Sequence, residues 1–178
     1  MAETHVARLW MNRSAFVLLA FVLIVTRLVP LDARPDTWAP PDILLAMTLV
    51  WVARRPDYLP VYVIAVIFLM ADMLFQRPPG LWAALVVLLT EAVRRRAHEF
   101  RNMPLVLEWS SIAFGIAAIT LANRMVLAIV MTPQAPLGLT LVEMTLTILV
   151  YPLAVFVAYT LFGVGRPNLI DNGKRARL

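Results

Sequence analysis

The sequence predicts an all-α membrane protein of six transmembrane helices, with both termini in the cytoplasm and short second and fourth spans. Composition is the first observation behind this. Of 178 residues, 61% are hydrophobic and 15% charged, whereas a soluble domain is nearer half and a quarter; the mean hydropathy is +0.79. The placement of basic residues is the second. Arg8 and Arg13, then Arg54 and Arg55, then Arg94, Arg95, Arg96 and Arg101, and finally Arg166, Lys174, Arg175 and Arg177 fall at the N-terminus, in every second loop and at the C-terminus. The intervening loops hold only Arg34 and Arg77, and residues 132–136 carry no charge. Basic residues in short loops mark the cytoplasmic side. Six spans meet that rule at every loop, and an odd number does not.

Six apolar runs supply the elements: residues 14–29, 43–53, 59–75, 81–93, 105–131 and 137–164. Crossing a bilayer takes about 20 helical residues, with a range of roughly 17–25. Runs five and six clear that length, one and three are marginal, and two and four are short. The short runs must cross with help from neighbours or as broken helices. Prolines punctuate the starts, where a missing N–H costs no hydrogen bond. Pro40 and Pro41 precede run two, Pro56 and Pro60 bracket the turn before run three, Pro78 and Pro79 precede run four, and Pro133 and Pro136 flank the start of run six. Pro152 lies inside run six and predicts a kink. Trp38, Trp51, Trp82 and Trp109 fall near span ends, as interface anchors do. The organisation is a cytoplasmic head (1–13), one transmembrane domain (14–164) and a mobile basic tail (165–178). Run one is not a cleaved signal peptide, because no small-x-small site follows it and five more apolar runs do.

Several function classes fall away. Without cysteine there are no disulfides, thiolate metal sites or cysteine nucleophiles. His5 and His98 lie outside the spans, and Lys174 is in the tail. No metalloprotease, nucleophile-elbow or phosphate-loop pattern occurs. The remaining option for acid–base work is a pair of carboxylates, Asp42 with Asp72. The reading is therefore a non-enzyme with no cofactor. The net charge of +5 reflects orientation and contact with anionic membrane lipids, with no nucleic-acid partner.

Ionisable residues inside spans are costly and usually face the bundle interior. Arg27, Asp42, Asp72, Arg124 and Glu143 fall in one outer layer, while Glu91 and Glu108 fall in an inner layer near Arg94, Arg95 and Arg96. The expectation is that Arg124 pairs with Asp72 or Glu143, so that Arg124→Ala destabilises the protein more than Arg77→Ala. Plainer roles stand beside this: Asp42 as a helix N-cap, Asp72 reaching interfacial water, and Glu91 and Glu108 neutralising the basic cluster. Gly80 and Gly115 are helix-packing candidates. Gly115 forms a small-residue face with Ala113, Ala117 and Ala118, suited either to a partner helix or to internal packing.

Residues 41–91 resemble the MreD family, the rod-shape-determining membrane proteins of bacteria. The resemblance is carried by Pro41-Asp42-Ile43-Leu44-Leu45, Arg54-Arg55-Pro56-Asp57-Tyr58, Ala71-Asp72, Gln76-Arg77-Pro78-Pro79-Gly80-Leu81-Trp82 and Thr90-Glu91. Glu108-Trp109 and Ala122-Asn123-Arg124 look like the alphaproteobacterial branch. Phe68 stands where many members have a glycine. The resemblance implies a multi-pass protein of the bacterial inner membrane, similar in fold to the substrate-binding S-components of energy-coupling-factor transporters. It implies a non-enzymatic scaffold or regulator of the elongation machinery that synthesises peptidoglycan. That protein would bind MreC directly, and RodA, its transpeptidase and the MreB filament through the complex. A groove left by the short second and fourth runs would hold a partner helix. The alternative is a vitamin-type substrate-binding subunit of a transporter, with Asp42, Asp72, Arg124 and Glu143 lining its pocket.

Overall fold

A computed structural model describes residues 2–29, 39–100 and 103–162. Arg34, Trp38, Arg101 and the tail 165–178 lie outside the described residues, as do the side chains of His5 and Arg8. The described residues are all-α, with six helices: α1 (Ala2–Leu28), α2 (Ile43–Arg54), α3 (Val61–Leu74), α4 (Leu81–Phe100), α5 (Leu105–Ile129) and α6 (Leu137–Phe162). One 3-10 turn, Pro56–Tyr58, joins α2 to α3. Three stretches, Leu9–Leu28, Leu105–Ile129 and Leu137–Leu161, are long and apolar enough to cross a membrane. At 1.5 Å per residue they reach roughly 30–37 Å, against a hydrocarbon core of about 30 Å. Their outward faces carry Leu18, Phe21, Phe114, Ile129, Phe156 and Leu161, all exposed. Apolar surface of that extent marks a multi-pass membrane protein.

The centre of the fold is the shortest helix. Every residue of α2 from Leu44 to Arg54 is buried, packed chiefly between α6 and α4, with α1 alongside. Phe16 of α1 meets Trp51 edge-on, ring centroids 5.3 Å apart. Trp51 is thus a core residue rather than an interface anchor. Phe68 of α3 is also buried in this core. At about 18 Å, α2 is too short to span a bilayer alone. From Leu44 to Arg54 it is enclosed by its neighbours.

The other short helix is α3, with 14 residues, and not the fourth. The sequence predicts an end near Val93, but α4 runs 20 residues to Phe100. Its buried positions Val86, Leu89, Val93, Ala97 and Phe100 recur every three or four residues, so one face stays apolar through the arginines. Arg94 is accommodated because its guanidinium donates to the carbonyls of Pro56 (2.7 Å) and Leu59 (2.6 Å) in the turn opposite. His98 consequently belongs to the last turn of α4 and not to a loop. Pro60 and Pro104 occupy the N-caps of α3 and α5, and α6 continues on both sides of Pro152.

Candidate functional site

Two polar clusters seal the two ends of α2. At the Asp42 end, the carboxylate does what a helix N-cap requires: its Oδ1 accepts from the Leu45 amide at 3.0 Å. The Asp42 amide donates to Thr147 Oγ1 at 2.9 Å, and that hydroxyl donates to the Glu143 carbonyl at 2.7 Å. This fixes α2 against α6. Arg27 reaches in from α1, its Nη2 2.7 Å from Glu143 Oε1 and its Nη1 3.7 Å from Asp42 Oδ2. Arg77 approaches Glu143 Oε1 at 3.8 Å. Both guanidiniums pack on the Phe75 ring, 5.2 Å from Arg27 and 5.6 Å from Arg77, and Trp82 lies 5.8 Å from Arg77. Two cations packed on one ring, with two carboxylates, make a compact, nearly neutral network.

Asp72 has a different task. Its Oδ2 accepts from the amides of Gly80 and Ala83, both at 3.1 Å, clasping the α3–α4 turn and supplying α4 with a carboxylate at its N-terminus. Gly80 has φ +89°, a conformation strained for any side chain. Its place in the turn is set by backbone shape, since an added Cβ would meet nothing closer than 3.9 Å. Asp42 and Asp72 are each committed to separate partners, so the structure does not present them as a shared acid–base pair.

The expected pairing of Arg124 with Asp72 or Glu143 does not occur. Arg124 Nη1 donates to Thr140 Oγ1 at 2.6 Å and to the Ala135 carbonyl at 3.1 Å, and Gln134 Nε2 donates to the Arg124 carbonyl at 3.2 Å. Arg124 thus ties the end of α5 to the α5–α6 connection, while Arg27 has taken Glu143. The residues still share a space. A cavity of about 290 Å³ has Asp42, Arg77, Arg124 and Glu143 on its walls, with Thr120, Asn123, Thr140 and Thr147 among its neutral polar groups. Asp72 does not line it.

At the Arg54 end the cluster is sealed. Glu108 of α5 has only 1% of its side chain exposed and Arg54 10%; Arg54 Nη2 lies 3.5 Å from Glu108 Oε1. The Tyr151 hydroxyl donates to that same oxygen at 2.8 Å. Glu108 therefore pairs with the end of α2 and not with the arginines of α4. Glu91 is the residue that meets those, 3.4 Å from Arg94 Nε and 3.7 Å from Arg95 Nε. Trp109 Nε1 donates to the Ile148 carbonyl at 2.8 Å, so it too is a helix tie. Gly115 lets α5 close on α4: an added Cβ would lie 2.5 Å from Leu89 Cδ1. Gly115 thus serves packing between α4 and α5.

The partners that sequence reasoning missed are Arg54, Arg77, Thr140, Thr147 and Tyr151. A signal for three of them exists, because Thr140, Glu143, Thr147 and Tyr151 recur at intervals of three or four in an otherwise apolar helix. Among the described residues, no group of three or more His, Cys, Asp or Glu is placed to hold a metal ion. The arrangement can join helices and offer a small polar recess. No family model matches the sequence, and neither a curated protein nor a solved structure matches the chain; what it does is read from these residues and their arrangement.

Proposed function

We propose that the chain is an MreD-type protein of the bacterial cytoplasmic membrane, a non-enzymatic scaffold or regulator of cell-elongation peptidoglycan synthesis that binds MreC and, through the complex, RodA, its transpeptidase and MreB. One observation carries the reading: the short motifs behind the resemblance coincide with the joints of the fold. Pro41-Asp42 caps the buried helix, the 54–58 segment receives Arg94, and Asp72 clasps Gly80. A motif set that builds the central helix and its two turns is what members of one family would share. Affinity purification of the tagged protein from native membranes, followed by mass spectrometry, tests it. Recovery of an MreC-like single-span protein with RodA is expected; wall-synthesis proteins absent from a stable preparation would reject it.

The six-span topology, with both ends inside, belongs to the same reading. Basic residues from separate segments converge at one end of the bundle: Arg13 Nη2 lies 3.4 Å from the Asp57 carbonyl, beside the Pro56 and Leu59 carbonyls that hold Arg94. Because the sequence has no cysteine, single cysteines report sidedness cleanly. His98→Cys should label from the cytoplasm and Gln134→Cys from outside.

The cavity at the Asp42 end favours a second reading, a vitamin-type binding subunit of a transporter. Its volume of about 290 Å³ is at the lower limit for small-molecule sites. Recovery of an ATPase module in the same purification would select it.

A further inference from the structure

Between α4 and α5, at the end bearing Arg95 and Arg96, lies a groove of about 570 Å³. We propose that it binds one anionic phospholipid, the phosphate at Arg95 and Arg96 and an acyl chain along the groove. The walls are made for a chain: Leu88, Phe114, Ala118 and Ile119 line the floor and sides. Phe114, 78% exposed, projects as a rim. The helices approach closely at Gly115 and Leu89, which makes the floor continuous.

The charged end selects the headgroup. Two guanidiniums border the groove against the single carboxylate of Glu91. That carboxylate is already shared by Arg94 and Arg95, whereas Arg96 has no ion pair among the described residues. Guanidinium groups bind phosphate through paired N–H donors, and basic recesses between membrane helices on the cytoplasmic side suit acidic headgroups. The length also fits a lipid. Leu88 to Arg96 is about 12 Å of helix rise, close to the ~15 Å depth of one leaflet. A partner helix would need a groove continuing through the other leaflet.

This rests on the proposed topology only for the leaflet it assigns. The test is native mass spectrometry of the full-length protein in detergent, titrated with phosphatidylglycerol and, separately, phosphatidylcholine. The expected result is a first phosphatidylglycerol bound at least about fivefold more tightly than phosphatidylcholine. The exposed pair Arg95→Gln/Arg96→Gln should lose that preference, leaving phosphatidylcholine binding unchanged. Ala118→Phe, which fills the groove without touching the cations, should weaken both lipids. Equal affinity for the two lipids in the unaltered protein would overturn the site. So would an undiminished first binding event in Ala118→Phe, or an equal loss on Arg124→Gln at the opposite end. Glycerol phosphate without acyl chains should not compete; full competition would make this a phosphate site and overturn the lipid. External labelling of His98→Cys would overturn the leaflet, while the titration, which has no sides, still decides the site.

Discussion

The Asp42 end and the Arg54 end of α2 use the same chemistry in opposite surroundings. At the Asp42 end Arg27, Asp42, Arg77 and Glu143 share charge among four side chains, beside a polar cavity, with Arg27, Arg77 and Glu143 about a quarter to a third exposed. At the Arg54 end the Glu108 carboxylate meets Arg54 and Tyr151, and hardly any of it reaches the surface. Redundancy makes the first end tolerant, because the loss of any member leaves its partners other charges or water. At the second end the pair is shut off from water, and removing one partner leaves a buried charge without its closest counter-charge. The same helix is therefore adjustable at one end and locked at the other.

Substitutions can break that contrast, and the largest effect belongs to the locked end. Glu108→Ala should cost about 3–5 kcal/mol, the range for stranding one member of a buried pair, read by unfolding in mixed detergent micelles. A loss no greater than that of Glu143→Ala would refute the distinction. Tyr151→Phe removes the hydroxyl's hydrogen bond to the carboxylate and should cost roughly 1.5–3 kcal/mol. Glu143→Ala should cost about 1 kcal/mol, as partly exposed pairs do. Salt sharpens the test: raising it from about 0.1 M to about 1 M shortens the screening length from roughly 10 Å to 3 Å. The Glu143→Ala deficit should shrink and the Glu108→Ala deficit should not. Smallest of all, Arg124→Ala should cost about 0.5 kcal/mol, the low end for a net hydrogen bond. That should be no more than Arg77→Ala, inverting the order the sequence suggests.

What could be read in advance follows from what each signal measures. Proline and apolar runs place helix starts, and Ile43, Leu81, Leu105 and Leu137 begin helices where the runs begin. Run length also identifies α2 as short. Averaged hydropathy fails at the end of α4, because it cannot separate the buried stripe from Arg94, Arg95 and Arg96 on the same turns. Depth along a helix gives a residue's layer but not its direction around the bundle. Arg124 and Glu143 share a layer, yet Thr140 faces the first and Arg27 the second. Direction is set by how whole helices dock, which no single segment encodes. Arg27 was legible as a charge at a span end, but its partners were not.

The enclosure of α2 also has a consequence for biosynthesis. The helix with no lipid-facing side, α2, is made before its principal neighbour, α6, with three helices between them in chain order. Until then Asp42 lacks Thr147, and the Glu108 that pairs with Arg54 lacks Tyr151. The helix must wait, sheltered by the insertion machinery, while about eighty residues are translated. A chain stopped before Leu137 has an unfinished centre rather than a missing edge. Quality-control proteases would therefore meet an unassembled centre, and truncation before α6 should clear the protein from the membrane rather than leave a partly active fragment.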